Sequence, residues 1–155
     1  MDHKFLDVNA LAVFLDSGHI GHPYLRKAVM PGLEGEFEVL INPTLFLRAR
    51  WIMTSQWGMA EAMADAAISD LARLDSLRYF GGDGRTFLEA LELSVSTGHD
   101  VYDCFLVLTA VHGGASHVIT TDLRLKRVCE GAKVAYENPV PRSVLSQFGI
   151  SGRIG

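Results

Sequence analysis

The stretch from Asp103 to Asp122 constrains the fold more than any other part of the chain. Leu106, Val107, Ala110 and Val111 recur at helical spacing after Asp103, so one helix face enters a core. Gly113 and Gly114 stop that helix, because glycine takes a left-handed backbone without a steric penalty. His117-Val118-Ile119-Thr120 follows as a short β-branched strand, and Thr121-Asp122 closes its C-terminal end. An aspartate at a strand end beside a helix start lies where α/β proteins place their chemistry. A third aspartate, Asp7, ends the apolar run Lys4-Phe5-Leu6 near the other end of the chain.

The intervening sequence supplies the remaining elements. Lys4 to Asp7 reads as a first, central strand, and Asn9 to Leu15 as a short helix ended by Asp16-Ser17-Gly18. Pro23 suits the first turn of a second helix, where its missing N–H is no loss, and Pro31-Gly32 is expected to stop it. Phe37 to Ile41 is a second strand candidate, followed by a turn at Asn42-Pro43-Thr44. Leu45 to Asp75 is helical in pattern with a break near Gly58, the apolar faces being Leu45, Leu47, Trp51 and Ile52, then Met59, Met63, Ala66, Ala67, Leu71 and Leu74. Arg85 to Ser96 forms a further amphipathic helix with Phe87, Leu88, Leu91 and Val95 inward. Leu123 to Val128 is a short helix, Lys133 to Tyr136 a last strand, and Val144 to Phe148 a final helical turn. Strands separated by helices imply a parallel sheet covered on both faces, the α/β class.

Composition narrows the function classes. At 155 residues the chain is long enough for one domain with a real core, assigned to 1–150 with a short tail at 151–155. A net charge of −4 with 14 basic residues excludes a chain-wide electrostatic nucleic-acid binder, though not an enzyme with a local basic rim. Cys104 and Cys129 have no metal-like spacing and are expected to be free thiols in a reducing compartment. The apolar runs are too short to span a membrane and no leader is read at the start, so a cytoplasmic location is expected. The six histidines lack the HExxH pairing of a zinc enzyme, and His99 and His112 read as helix-end or surface residues. Gly81 to Gly84 lacks the lysine of a phosphate loop, and no G-x-S-x-G motif occurs.

The three aspartates remain. Strand C-termini of a parallel sheet share one edge, so Asp7 and Asp122 meet if their strands are neighbours. Gathering three carboxylates is unfavourable unless protons or a cation offset the repulsion. Mg²⁺ or Mn²⁺ suits such oxygen ligands and polarises phosphodiesters. Each aspartate singly is as readily a helix N-cap. Arg124, Lys126 and Arg127 follow Asp122 and are candidate phosphate contacts, or else a solvated helix face.

Asp7-Val8-Asn9 after a short strand, Tyr102-Asp103-Cys104 before an apolar helix, and Val118-Ile119-Thr120-Thr121-Asp122 together resemble the PIN domain family, in particular its VapC-like toxin ribonucleases. The resemblance spans nearly the whole chain in element order. It implies a three-layer α/β/α PIN-like fold with a central parallel sheet of about four to five strands. It also implies a Mg²⁺- or Mn²⁺-dependent ribonuclease acting on RNA, an antitoxin partner and a homodimer. By that resemblance Asp7, Asp103 and Asp122 are catalytic residues and metal ligands, with Asn9, Thr120 and Thr121 in support.

One position departs from the family. The family carries a glutamate on the helix after the second strand, and here the matching position is Arg48. Arg48 either neutralises the acidic cluster, leaving a catalytically impaired module that binds RNA or protein, or points outward to a substrate phosphate. A phosphatase of the haloacid dehalogenase type with Asp7 as nucleophile fails, because that motif requires a second aspartate where Asn9 stands.

Overall fold

The computed structural model describes residues 1–149. In chain order the elements are β1 (His3–Leu6), α1 (Val8–Leu15), α2 (His22–Leu33), β2 (Glu38–Ile41), α3 (Thr44–Trp51), α4 (Glu61–Ala72), β3 (Leu77–Tyr79), α5 (Gly84–Thr97), α6 (Val101–His112), β4 (His117–Ile119), α7 (Leu125–Ala132), β5 (Ala135–Glu137) and α8 (Arg142–Leu145). A π-helical turn, Ile52–Gln56, prolongs α3, and a 3₁₀ turn, Ser146–Gly149, follows α8.

The strands make one parallel sheet in the order β3-β2-β1-β4-β5. β1 is central because Phe5 and Leu6 are wholly buried, as a strand covered on both faces must be. It pairs with β2 through Phe5 opposite Leu40 and with β4 through Phe5 opposite Val118. The chain first steps from β1 through β2 to β3, then returns to β4 and β5 on the far side of β1. Right-handed crossovers in opposite directions place their helices on opposite faces. Accordingly α1 to α4 pack among themselves, and α5, α6 and α7 form the other layer. Leu11, Leu25, Val29, Leu45 and Met53 fill the first side of the core, and Val107, Ala110, Val128 and Cys129 fill the second.

Several elements depart from the sequence reading. β3 was absent from it: three residues are too few for a periodic signal, and only Leu77 is buried. The second helix continues through Pro31 to Leu33, since a proline this close to a helix end breaks little of the ladder. Leu47, Trp51, Met63, Leu74, Phe87, Leu88, Leu91 and Val95, expected inside, are exposed. On α5 the core face is instead carried by the small residues Thr86 and Ala90, both fully buried, which allow the close approach to α6.

Candidate metal centre

The strand order reverses between β1 and β4, and their carboxyl ends flank the crevice where open α/β sheets bind ligands. Asp7 follows β1 directly and its amide is tied to the Ile119 carbonyl at 3.0 Å, so the register of the β1–β4 pair positions it. Asp7 is only 4% exposed, and its carboxylate accepts a hydrogen bond from the Thr120 hydroxyl at 2.9 Å. Thr120, wholly buried, also accepts from the Asp122 amide at 3.1 Å, linking two of the three aspartates through one hydroxyl.

Asp103 comes from the first turn of α6. That helix begins where it does because Asp100 caps it, accepting the Tyr102 amide at 2.8 Å. Gly98, at φ 67°, takes the left-handed backbone needed to end α5 and turn directly into α6. The Asp103 carboxylate lies 3.1 Å from His99 Nε2. Asp122 accepts the Arg124 amide at 2.9 Å and two guanidinium N–H groups of the same residue at 3.2 and 3.3 Å.

The electrostatics reflect crowding of like charge. Burial, above all, pushes the Asp7 carboxyl up from 3.8 to about 6, and Asp103 and Asp122 add to the rise; the Val8 amide and Thr120 pull it down. Asp103 is raised too, chiefly by burial, against the lowering effect of His99. One ligand atom each from His99, Asp103 and Asp122 lies within 4.8 Å of the others. Two partly buried carboxylates beside an imidazole, with the buried Asp7 carboxyl next to them, form a donor set that fits a divalent cation, since a dication offsets the repulsion between like charges.

Arg48 reaches this site. Its guanidinium stacks over the Tyr102 ring, 4.6 Å from the centroid, and lines a cleft of about 760 Å³ with His99, Asp100, Asp103 and Arg124. Among the described residues it forms no ion pair; the cation that pairs with the cluster is Arg124. Asn9 and Thr121 line a smaller adjoining hollow with Asp122 and Arg124. Lys126 and Arg127 stand exposed on α7 and do not line the cleft. His99 is the site residue that the sequence reading passed over as a helix-end histidine. Its signal was its place four residues before Asp103.

The sequence profile of the PIN domain matches residues 4–131. The chain belongs to the PIN domain family. The matched span includes Asp7, Arg48, His99, Asp103 and Asp122. The fold agrees with that of the VapBC2 structure from Rickettsia felis bound to a DNA fragment from their promoter, at a TM-score of 0.66 and 11% identity, covering 88% of this PIN chain and 98% of the other. At that identity the likeness is one of fold. No curated protein matches the chain by sequence. Among the described residues of this PIN domain, no helix is long and apolar enough to cross a membrane.

Proposed function

We propose that this PIN domain is a divalent-metal-dependent endoribonuclease, with Mg²⁺ or Mn²⁺ as its cofactor, and the toxin of a toxin–antitoxin pair. The observation that supports the reading is the grouping of Asp103 and Asp122 with His99 within 4.8 Å, with buried Asp7 linked to Asp122 through the Thr120 hydroxyl at the β1–β4 crevice. Asp7, Asp103 and Asp122 would hold the cation, which when bound supplies Lewis-acid polarisation of a phosphodiester and a more acidic attacking water. Thr120 keeps one Asp7 oxygen oriented by its hydrogen bond. Asn9 and Thr121 line the adjoining hollow and are assigned a supporting role there.

Arg48 and Arg124 frame the cleft as phosphate contacts. Arg48 is held by an aromatic face rather than by a carboxylate, so its N–H donors stay available to an anion. Tyr102 beneath it adds a surface on which an unpaired base can stack. Lys126 is a weaker phosphate contact at the edge, outside the cleft lining. A single-stranded substrate suits a cleft open enough to admit a backbone between two guanidinium groups.

The partner assignments draw on the neighbour's VapBC2 assembly and on the surface. Leu88, Leu91 and Val95 form an exposed apolar stripe along α5, with Phe87 beside it, which supports a homodimer. An antitoxin remains the second partner, and the compartment is the cytoplasm.

A second reading has its own observation. Asp122 is already paired bidentately with Arg124 at 3.2 and 3.3 Å, which favours a closed, catalytically impaired module that binds RNA or protein without cutting. Cleavage of single-stranded RNA with added Mn²⁺ separates the two. Mn²⁺-dependent cleavage by the native chain that falls in Arg124→Ala supports the nuclease with Arg124 as a phosphate contact, whereas cleavage that appears only in Arg124→Ala supports a site closed by its pair with Asp122. No cleavage by either protein at millimolar Mn²⁺ supports the impaired module.

A further inference from the structure

We propose that His99 is itself a metal ligand of this site, through Nε2, and that it shifts the preference from Mg²⁺ towards Mn²⁺ and related first-row cations. The inference rests on the metal-dependent reading above and adds to it an identified nitrogen ligand.

The geometry supports ligation. His99 Nε2, an Asp103 oxygen and an Asp122 oxygen lie within 4.8 Å of one another, with Nε2 3.1 Å from Asp103 Oδ2. Donors sharing one cation at bonds of roughly 2.0–2.2 Å stand about 3–4.4 Å apart, so small side-chain rotations bring these three into range. The ring is pre-placed by its backbone. Ser94 donates its hydroxyl to the His99 carbonyl at 2.6 Å, the His99 amide bonds the Thr97 hydroxyl at 3.3 Å, and Gly98 makes the turn between them. With its side chain 15% exposed, the ring faces the cleft rather than bulk water.

A helix-stabilising role fits less well. His99 precedes the Asp100 cap and lies outside α6, so the pair with Asp103 is not a surface pair within one helix. An imidazolium at a helix N-terminus sits at the end where positive charge is disfavoured. The neutral ring, by contrast, is the ligating form. A neutral His99 ring that ligates through Nε2 would carry its proton on Nδ1.

The preference follows from donor type. α3 supplies no carboxylate, and the residue it brings to the cleft is Arg48, so no further oxygen donor comes from that side. Mg²⁺ strongly prefers oxygen ligands, whereas imidazole nitrogen is a good ligand for first-row transition ions.

The test is pulsed electron paramagnetic resonance on the native protein loaded with Mn²⁺, together with Mn²⁺ and Mg²⁺ affinities for native, His99→Gln and Asp122→Asn chains. A ¹⁴N coupling of a directly bound nitrogen is expected in the native protein and absent in His99→Gln. Mn²⁺ affinity should fall at least about tenfold in that variant, and Mg²⁺ affinity less than about threefold, taking the lower end of ligand-shell effects. Mn²⁺ bound in an Asp122-dependent way without nitrogen coupling overturns the His99 assignment and leaves the nuclease reading standing. Equal losses for both ions overturn the preference. Mn²⁺ binding unaffected by Asp122→Asn overturns the metal-dependent reading itself.

Discussion

Burial and two neighbouring carboxylates hold the Asp7 carboxyl at about 6, against an ordinary 3.8. A folded-state value above the unfolded one means that the native protein binds this proton more tightly. The stabilisation is complete below the unfolded value, is lost as pH rises through about 6, and amounts to about 3 kcal/mol over the whole interval. The metal-free protein should therefore melt higher at pH 5 than at pH 7.5, and Asp7→Asn should flatten that slope; calorimetric scans at the two pH values check it. Asp83 works oppositely, its carboxylate held low by the Thr86 amide and hydroxyl, so its contribution fades only in stronger acid. Arg48 gives a second expectation. Stacked on Tyr102 and without an ion pair among the described residues, it is proposed as a phosphate contact, so Arg48→Ala should weaken RNA binding uniformly across sequences. The slope of log K against log salt should lessen by about 0.7, one phosphate's worth on a single strand. Arg48→Glu should tighten Mn²⁺ binding only if the new carboxylate turns into the site. An unchanged salt slope in Arg48→Ala would remove Arg48 from the substrate surface.

At the scale of elements, the site depends on where helices stop and start. α6 had the clearest sequence pattern, and both its glycine stop and its acidic first turn stand where the pattern puts them. Gly113 matters for a reason that periodicity does not carry: a Cβ there would lie 2.6 Å from Leu40 Cδ2 and 3.3 Å from Phe80 Cδ1. Gly113→Ala should cost roughly 1–3 kcal/mol through overpacking between α6 and β2, read from urea denaturation. α5 was legible as a helix but not in its facing. Leu88, Leu91 and Val95 look outward while Thr86 and Ala90 are fully buried beside the partly buried Leu93, because close packing on α6 favours small residues. β3 was illegible for want of length, being an edge strand held by three pairs to β2.

Across the whole molecule, the convergence of residues 7, 103 and 122 was foreseeable only conditionally, since the sequence does not say which strands are neighbours. The order β3-β2-β1-β4-β5 meets the condition, with β1 beside β4. His99 escaped notice because its four-residue spacing from Asp103 becomes contact only through the Gly98 turn and the Asp100 cap, which place it outside α6 yet 3.1 Å from the Asp103 carboxylate. The outward apolar stripe on α5 predicts a dimer in solution, and Val95→Glu with Leu88→Glu should shift the mass by light scattering to that of one chain; a native monomer would contradict the assignment. Metal should stabilise the fold by mass action, by about 2.7 kcal/mol at a hundredfold excess over Kd. Asp122→Asn should lose most of that response while leaving the metal-free protein as stable or slightly more so. The most direct test of the account is cleavage of a single-stranded RNA with Mn²⁺ by the native chain, Asp7→Asn and Asp122→Asn, with and without chelator. The account predicts cleavage that chelator abolishes and that falls at least about a hundredfold in each variant, the loss expected when about 2.7 kcal/mol of transition-state stabilisation is removed. Cleavage that persists in chelator, or at native rate in either variant, would contradict a metal centre built on these aspartates.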